Sequence, residues 1–167
     1  PLFDRLIARI TYKIQPYLLI KVEDGADEVQ VFESWVCELD ASTFRERILP
    51  SMQTLVAAGR DAGARTIVFV NGSAHLLECL ADAGSNAVGL DWRIDPADAM
   101  RRIGERVALQ GNLDPTVLLA GPDATRREAA RVLDAFANQR GYVFNLGHGI
   151  LPPTPTESMT ALFEELR

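Results

Sequence analysis

The residues best suited to chemistry in this sequence are polar side chains that directly follow short apolar runs. Amide, hydroxyl and imidazole groups dominate them, and basic side chains are few. Such groups bind a ligand through hydrogen bonds, and a histidine among them also carries charge near neutral pH. The polar segments are ESW at 33–35, NGS at 71–73, DWR at 91–93, QGNLD at 110–114 and GHG at 147–149.

Two of these polar residues are candidates for ligand contact. Ser34 lies in no GxSxG motif, so a hydrogen bond to a ligand or a neighbouring loop is expected rather than a nucleophilic role. His148 lies between Gly147 and Gly149, which permit close approach of a ligand. The pattern alone leaves ligand contact and loop stabilisation equally open for His148. His75 falls in a helical pattern and is expected to be a packed or helix-surface residue.

No cofactor or metal is indicated by the short motifs. GHG lacks the GxGxxG spacing of a dinucleotide-binding turn, and NGSAH at 71–75 lacks the lysine of a phosphate-binding loop. The only two cysteines, Cys37 and Cys79, belong to no metal-ligand spacing and are expected to be reduced thiols of a cytoplasmic protein.

Length, charge and hydropathy restrict the class of protein. A chain of 167 residues with 47% hydrophobic residues fits one domain, or one contiguous piece of a domain, over residues 1–167. A net charge of -6 argues against binding to nucleic acid or to an anionic membrane. No apolar run is long enough to span a membrane, and the start of the chain has charges where a signal peptide is apolar.

The elements that position the polar residues are short strands alternating with amphipathic helices. Nearly continuous apolar strands between helices are typical of a parallel sheet in a doubly wound fold or a (β/α) barrel. Because the carboxyl ends of parallel strands share one edge, the polar segments are expected to converge on one site. The predicted strands are 29–32, 66–70, 87–90, 107–109 and 142–146.

Helix starts are predicted from capping residues, three of which directly precede a proline at the first helical position. Two capping boxes, each a threonine with a glutamate three residues later, are also predicted. The predicted caps are Asp95, Asp114 and Thr154, and the predicted boxes run from Thr43 to Glu46 and from Thr154 to Glu157.

Three stretches resemble the uroporphyrinogen decarboxylase family. GLDWRIDPADAMRRIGERVALQGNLDP and GYVFNLGHGILPPTP resemble its carboxyl-terminal half, and EDGADEVQVFESW fits the same family. The resemblance runs in order over essentially the whole chain, and QGNLDP and NLGHG are its most specific parts. It implies an α/β fold of five consecutive β/α units, the carboxyl-terminal part of a (β/α)8 TIM barrel.

The resemblance also implies a reaction. The family removes carbon dioxide from the four acetate side chains of uroporphyrinogen III to give coproporphyrinogen III, without a metal or organic cofactor and usually as a homodimer. The pyrrole ring acts as the electron sink, and the protein stabilises the positive charge formed on protonation. Ser34 and His148 match substrate-contacting positions, and Phe32 is implied to lie on the wall of the same cleft.

The family's other site residues belong to its amino-terminal half: an arginine-rich segment, an aspartate and a tyrosine. None of these motifs occurs here, so no catalytic residue is expected in this chain, and roughly 250 residues are needed for a complete barrel. The excess of 23 Asp+Glu over 17 Lys+Arg fits arginines supplied from elsewhere. The chain alone is therefore expected not to decarboxylate uroporphyrinogen.

Two alternatives remain open. A non-catalytic half-barrel would form a homo-oligomer or pair with an amino-terminal partner, because an open barrel piece has unpaired strand edges. A corrinoid-linked methyltransferase shares the implied fold but needs a zinc bound by a His-x-Cys pair and a later cysteine. The corresponding stretches, FVNGSAH and NLGHG, contain no cysteine.

Overall fold

A computed structural model describes residues 2–167 of the chain. Helices follow every strand, which confirms the α/β fold with five consecutive β/α units expected of part of a (β/α)8 barrel. The strands are β1 (Glu28–Glu33), β2 (Arg65–Val70), β3 (Ala87–Gly89), β4 (Ala108–Leu113) and β5 (Tyr142–Leu146). The α-helices are α1 (Leu2–Glu23), α2 (Ala41–Arg47), α3 (Leu49–Asp61), α4 (Leu77–Ala81), α5 (Pro96–Ile103), α6 (Pro122–Ala135) and α7 (Thr156–Glu165). Short 3-10 helices cover Val36–Glu38, Ala74–Leu76 and Pro115–Ala120.

The chain divides into two compact units, one ending at Val88 and the other beginning at Gly89. In the first unit β1 pairs in parallel with β2, from Glu28 opposite Arg65 to Glu33 opposite Val70. Five of the six β2 residues are buried, as expected for a parallel strand covered on both faces. The largest fully buried side chains of this unit are Phe44, Val56, Val68, Leu76, Leu77 and Leu80.

In the second unit β4 pairs in parallel with β5, from Leu109 opposite Tyr142 to Leu113 opposite Leu146. The 3-10 helix Pro115–Ala120 and α7 both pack against α6. The ring of Tyr142 stacks on Phe136 with centroids 4.3 Å apart, and its hydroxyl donates a hydrogen bond to Gly111 O. Other fully buried side chains of this unit are Leu90, Ile103, Leu109, Leu113 and Leu118.

Strand β4 is longer than the sequence predicted. The prediction ended at 109 and assigned QGNLD to a polar loop, whereas the strand continues to Leu113 with Gln110 and Asn112 buried. These amides can be buried because the fold supplies partners: Asn112 Nδ2 donates to Asp91 O at 3.0 Å and to Ile94 O at 2.7 Å. Gly111, with φ of 131°, has a cis peptide bond to Asn112.

The two helix caps predicted before α5 and the third 3-10 helix are confirmed. Asp95 accepts a hydrogen bond from Asp98 N at 3.0 Å, and Asp114 accepts one from Thr116 N at 2.8 Å. In both cases a side-chain oxygen satisfies an amide that the first helical turn leaves without a backbone partner.

The predicted capping box at Thr43 is wrong. Helix α2 begins earlier, and Asp40 is its N-cap, accepting hydrogen bonds from Ser42 N and Thr43 N. The Thr43 hydroxyl also donates to Asp40 Oδ2 at 2.6 Å, and these bonds hold the pKa of Asp40 below its usual value. A carboxylate three residues earlier therefore performs the capping assigned to the threonine.

The predicted cap at Thr154 is also wrong. Helix α7 begins at Thr156, its N-cap is Pro155, and no side chain caps it. Thr154 N donates instead to Leu151 O at 3.0 Å, so a turn occupies the position where the helix was expected to start. The Thr154 hydroxyl is buried without a hydrogen-bond partner, and the capping box to Glu157 does not form.

Candidate functional site

Phe32, which was predicted to line a cleft, lies near the carboxyl end of β1. Its ring stacks on that of Phe69, its register partner on β2, with centroids 4.7 Å apart and planes at 20°. Half of the Phe32 side chain is exposed (50%), an unusual fraction for a large aromatic residue on a parallel strand. It lines a groove of about 560 Å³ between α1 and β1, so this surface is available for contact.

Ser34, the second predicted contact, directly follows β1 and is half-buried. Its carbonyl accepts a weak hydrogen bond from Cys37 Sγ at 3.8 Å, and the neighbouring Trp35 N donates to Glu33 Oε1 at 2.8 Å. Asn71 N, directly after β2, donates to Glu33 O at 3.0 Å. The polar segments after β1 and β2 therefore lie together, as the sequence predicted for neighbouring strands.

In the second unit, buried polar side chains fix the loop between β3 and α5. Asp91 is fully buried, and its Oδ1 accepts a hydrogen bond from Arg93 N at 2.8 Å. Its other oxygen lies 3.6 Å from Arg93 Nη1. Because Asn112 on β4 also binds the backbone of Asp91 and Ile94, the DWR segment has a defined conformation.

His148, the third predicted contact, follows β5 and is half-buried. Its imidazole lies edge-on to the indole of Trp92, with centroids 6.3 Å apart and planes at 86°. The preceding Gly147 donates from its amide to Leu113 O at 2.8 Å. The polar segments after β3, β4 and β5 therefore also meet within the second unit.

The two glycines beside His148 have different roles. A Cβ on Gly147 would lie 2.4 Å from Trp92 N, a distance that real Cβ atoms do not reach. A Cβ on Gly149 would have no heavy atom within 4 Å. The absent side chain at Gly147 therefore makes room for the protein's own backbone, and only Gly149 borders open space.

Sequence reasoning recognised DWR as a polar segment but did not select Trp92 and Arg93. The Arg93 guanidinium lies over the indole of Trp92, 4.0 Å from the ring centroid. Both residues line a pocket of about 270 Å³. The signal in the sequence was an adjacent aromatic and basic pair directly after a strand. The other lining residues are Ile94, Asp95, Pro96, Asn112, Asp114 and Arg131.

Three of the charged side chains around this pocket already form hydrogen bonds within the protein. Asp95 and Asp114 cap helical segments, while Arg131 donates to Glu128 Oε2 at 2.7 Å. The hydrogen bond from Arg131 lowers the pKa of Glu128.

Among residues 2–167, no group of three or more His, Cys, Asp or Glu side chains is placed to hold a metal ion. Within the same range, no helix has both the length and the apolar character needed to cross a membrane.

Alternating strands and helices, with polar groups at the carboxyl ends of the strands, define an α/β protein whose five β/α units are consistent with part of a (β/α)8 barrel. The chain belongs to the uroporphyrinogen decarboxylase family: the family model described as "Uroporphyrinogen decarboxylase (URO-D)" matches residues 1–167.

Curated relatives agree with the family match. A protein of Streptomyces coelicolor named uroporphyrinogen decarboxylase is 41% identical over 163 residues, which is 98% of this chain and 46% of the relative. One of Dechloromonas aromatica with the same name is 44% identical over 168 residues, covering 98% of this chain and 47% of the relative. The chain thus spans about half the length of these relatives, and the resemblance places it in the carboxyl-terminal half.

Proposed function

We propose that the chain provides the substrate-contacting carboxyl-terminal half of a uroporphyrinogen decarboxylase, a cytoplasmic carboxy-lyase of porphyrin biosynthesis. The supporting observation is identity of 41–44% over nearly the whole chain to relatives with that name. In this proposal residues 1–167 are one contiguous piece of a single barrel. Ser34 and His148 contact the tetrapyrrole, and Phe32 forms part of the cleft wall.

The reaction sets what these side chains do. A proton adds to the pyrrole ring carbon next to the one that bears the acetate, and the bond from the acetate methylene to the carboxylate then breaks. Carbon dioxide leaves, the bonding electrons neutralise the ring, and a proton replaces it on the methylene while the ring proton departs. Ser34 and His148 orient the substrate by hydrogen bonds, and hydrogen bonds to charged groups are the stronger ones. Proton transfer is assigned to groups outside this chain.

The test is an assay of coproporphyrinogen formation with the 167-residue chain, alone and mixed with the amino-terminal half of the Dechloromonas relative. We expect no product from the chain alone and product from the mixture. Product from the chain alone would contradict the assignment of the reacting groups to the other half. A mixture that forms a complex but neither binds nor converts the tetrapyrrole would contradict the decarboxylase function.

A second candidate is a half-barrel whose main activity is to bind the amino-terminal half, and an apolar stripe on α1 favours it. Five large apolar residues repeat every three or four positions and are 40–63% exposed. This spacing places them on one helix face, while Thr11 and Leu18 are buried on another. The stripe residues are Phe3, Leu6, Ile10, Ile14 and Tyr17.

The edge of β1 continues this surface. Among the described strands β1 pairs only with β2, and the groove between α1 and β1 is lined by Ile14, Tyr17, Lys21 and residues 28–32. The unpaired backbone N–H and C=O groups of this edge can hydrogen-bond to a further strand, and the exposed apolar residues beside it can pack against that strand's partner helix. The proposed partner is the family's amino-terminal half, because the curated relatives are about twice as long as this chain. Its last strand would pair with β1, and its helix would cover the stripe.

Sedimentation and co-purification test this surface. The double substitution Ile10→Glu with Ile14→Glu is expected to abolish complex formation with the amino-terminal half. Tyr12→Glu is the matched control, since Tyr12 is 70% exposed on a different face of α1. Unchanged binding by the double variant would contradict the proposed surface. Formation of a homodimer that excludes the amino-terminal half would assign the stripe to a second copy of the chain instead.

A further inference from the structure

We propose that Arg93 binds a carboxylate group of the substrate, which gives this chain a cationic contact of its own at the site. The inference rests on the proposed function, since it concerns how an acidic tetrapyrrole is recognised. The side chain of Arg93 is 51% exposed, although the residue lies directly beside the buried Asp91. A guanidinium is therefore presented to solvent at the carboxyl end of a barrel strand, where ligands of such folds bind.

Three contacts restrict Arg93, one at its backbone and two at its guanidinium. Its backbone amide donates to Asp91 Oδ1 at 2.8 Å, and its Nη1 lies 3.6 Å from Asp91 Oδ2. Its charged group also lies 4.0 Å from the centre of the Trp92 ring. A side chain ordered before the ligand arrives loses less entropy on binding, which favours affinity. A guanidinium has five N–H donors in a planar fork, so it can bind a carboxylate through two of them while keeping these contacts.

Trp92 connects Arg93 to the predicted substrate contact. The same indole has the Arg93 guanidinium over it and the His148 imidazole at 6.3 Å in an edge-on arrangement. Both polar groups therefore lie around one aromatic ring, on the segments that follow β3 and β5. A substrate that contacts His148 at this position has a guanidinium within the same cluster, and its carboxylates are the complementary groups.

The neighbouring charges favour a direct contact over a general electrostatic field. The pocket is lined by two arginines, Arg93 and Arg131, and by the carboxylates of Asp95 and Asp114, so its formal charges cancel. The two carboxylates accept amide hydrogen bonds at helix starts, and Arg131 is paired with Glu128. Recognition by Arg93 must then come from hydrogen bonds at short range, which screening by salt weakens only in part.

The experiment measures binding of uroporphyrin, a stable porphyrin with the eight carboxylates of the substrate, to the 167-residue protein. The chain has two tryptophans, so Trp35→Phe leaves Trp92 as the sole reporter through quenching of its emission. In this background Arg93→Gln is compared with Arg140→Gln. Arg140 is exposed and precedes β5, at the strand end opposite His148, and its substitution makes the same charge change.

We expect Arg93→Gln to raise the Kd for uroporphyrin about three- to tenfold, the range for a partly exposed hydrogen bond between charged groups. Arg140→Gln is expected to leave the Kd unchanged. Equal affinities of the Arg93→Gln protein and its parent would overturn the inference while leaving the proposed function intact. Absence of saturable binding by the parent protein, both alone and in complex with the amino-terminal half, would count against the proposed function and against the inference. Circular dichroism checks that all variants are folded.

Discussion

The indole of Trp92 lies edge-on to the imidazole of His148, with ring centroids 6.3 Å apart. This relationship is set by the backbone, because Gly147 approaches the amide of Trp92 too closely for any side chain to fit between them. The position of His148 after β5 therefore depends on the segment that follows β3. Any change that separates these two backbone segments moves the imidazole.

The two glycines beside His148 give the first prediction. Gly147→Ala is expected to lower the free energy of unfolding by about 2–3 kcal/mol, because the added Cβ would lie 2.4 Å from backbone that cannot easily move. Gly149→Ala is the control and is expected to change it by less than about 0.5 kcal/mol, because its Cβ would meet open space. Urea unfolding measures both. Similar losses for the two variants would disprove the close approach at Gly147.

Removal of the His148 imidazole is the second prediction. In the enzyme completed with an amino-terminal half, His148→Ala is expected to weaken substrate binding about tenfold, as for loss of a hydrogen bond to a charged group. Its stability should fall by less than about 1 kcal/mol, because the side chain is only half-buried. His75→Ala is the control, since His75 Nε2 lies 3.0 Å from Leu39 O in the first unit. An unchanged reaction with a large stability loss would make His148 a structural residue.

Alkaline unfolding gives the third prediction. Burial raises the pKa of Tyr142 above its ordinary value of 10.0. The folded protein therefore keeps this hydroxyl protonated at a pH where the unfolded chain releases its proton. The resulting stability is fully present below pH 10 and is lost as the pH rises from the unfolded toward the folded pKa.

The Tyr142→Phe variant isolates the contribution of Tyr142 to alkaline unfolding from that of the other titrating groups. The variant loses the hydrogen bond to Gly111 O, so it is expected to be about 1 kcal/mol less stable at neutral pH. Its stability should then fall less steeply than that of the parent above pH 10. Tyr12→Phe, at a residue that is 70% exposed, should follow the parent at every pH. Parallel pH profiles for Tyr142→Phe and the parent would show that Tyr142 does not titrate differently on folding.

Strand positions could be predicted from the sequence wherever apolar residues run continuously. The strands β1, β2, β3 and β5 agree with their apolar runs to within one or two residues. The last part of β4 could not be found this way, because it contains the polar residues Gln110 and Asn112, which are buried in the fold. The Asn112 amide is satisfied by hydrogen bonds to backbone oxygens of another segment. A single sequence shows the amide but not its partner.

The candidate site was predictable at the level of segments and not of contacts. The position after each strand identified Ser34 and His148 for testing, and the DWR segment with them. The stacking of Arg93 on Trp92 joins adjacent residues, but the edge-on contact of Trp92 with His148 joins residues 56 positions apart, so no local pattern encodes it. The threonine cap expected at Thr154 failed for a different, local reason: Thr154 closes a turn to Leu151, and α7 begins after it.

Two buried hydroxyls in the second unit give the last prediction. Thr125 and Ser158 are both fully buried, but only Thr125 has a hydrogen-bond partner, donating from Oγ1 to Gly121 O at 2.9 Å. Ser158 Oγ has no partner, so folding removes it from water without compensation. Ser158→Ala is therefore expected to raise the free energy of unfolding by about 0.5–1 kcal/mol, helped by the higher helix propensity of alanine. Thr125→Ala is expected to lower it by about 1–2 kcal/mol, because a bond and a buried methyl group are lost. Urea unfolding measures both variants. A decrease in the free energy of unfolding for Ser158→Ala equal to that for Thr125→Ala would mean that the Ser158 hydroxyl is hydrogen-bonded in solution.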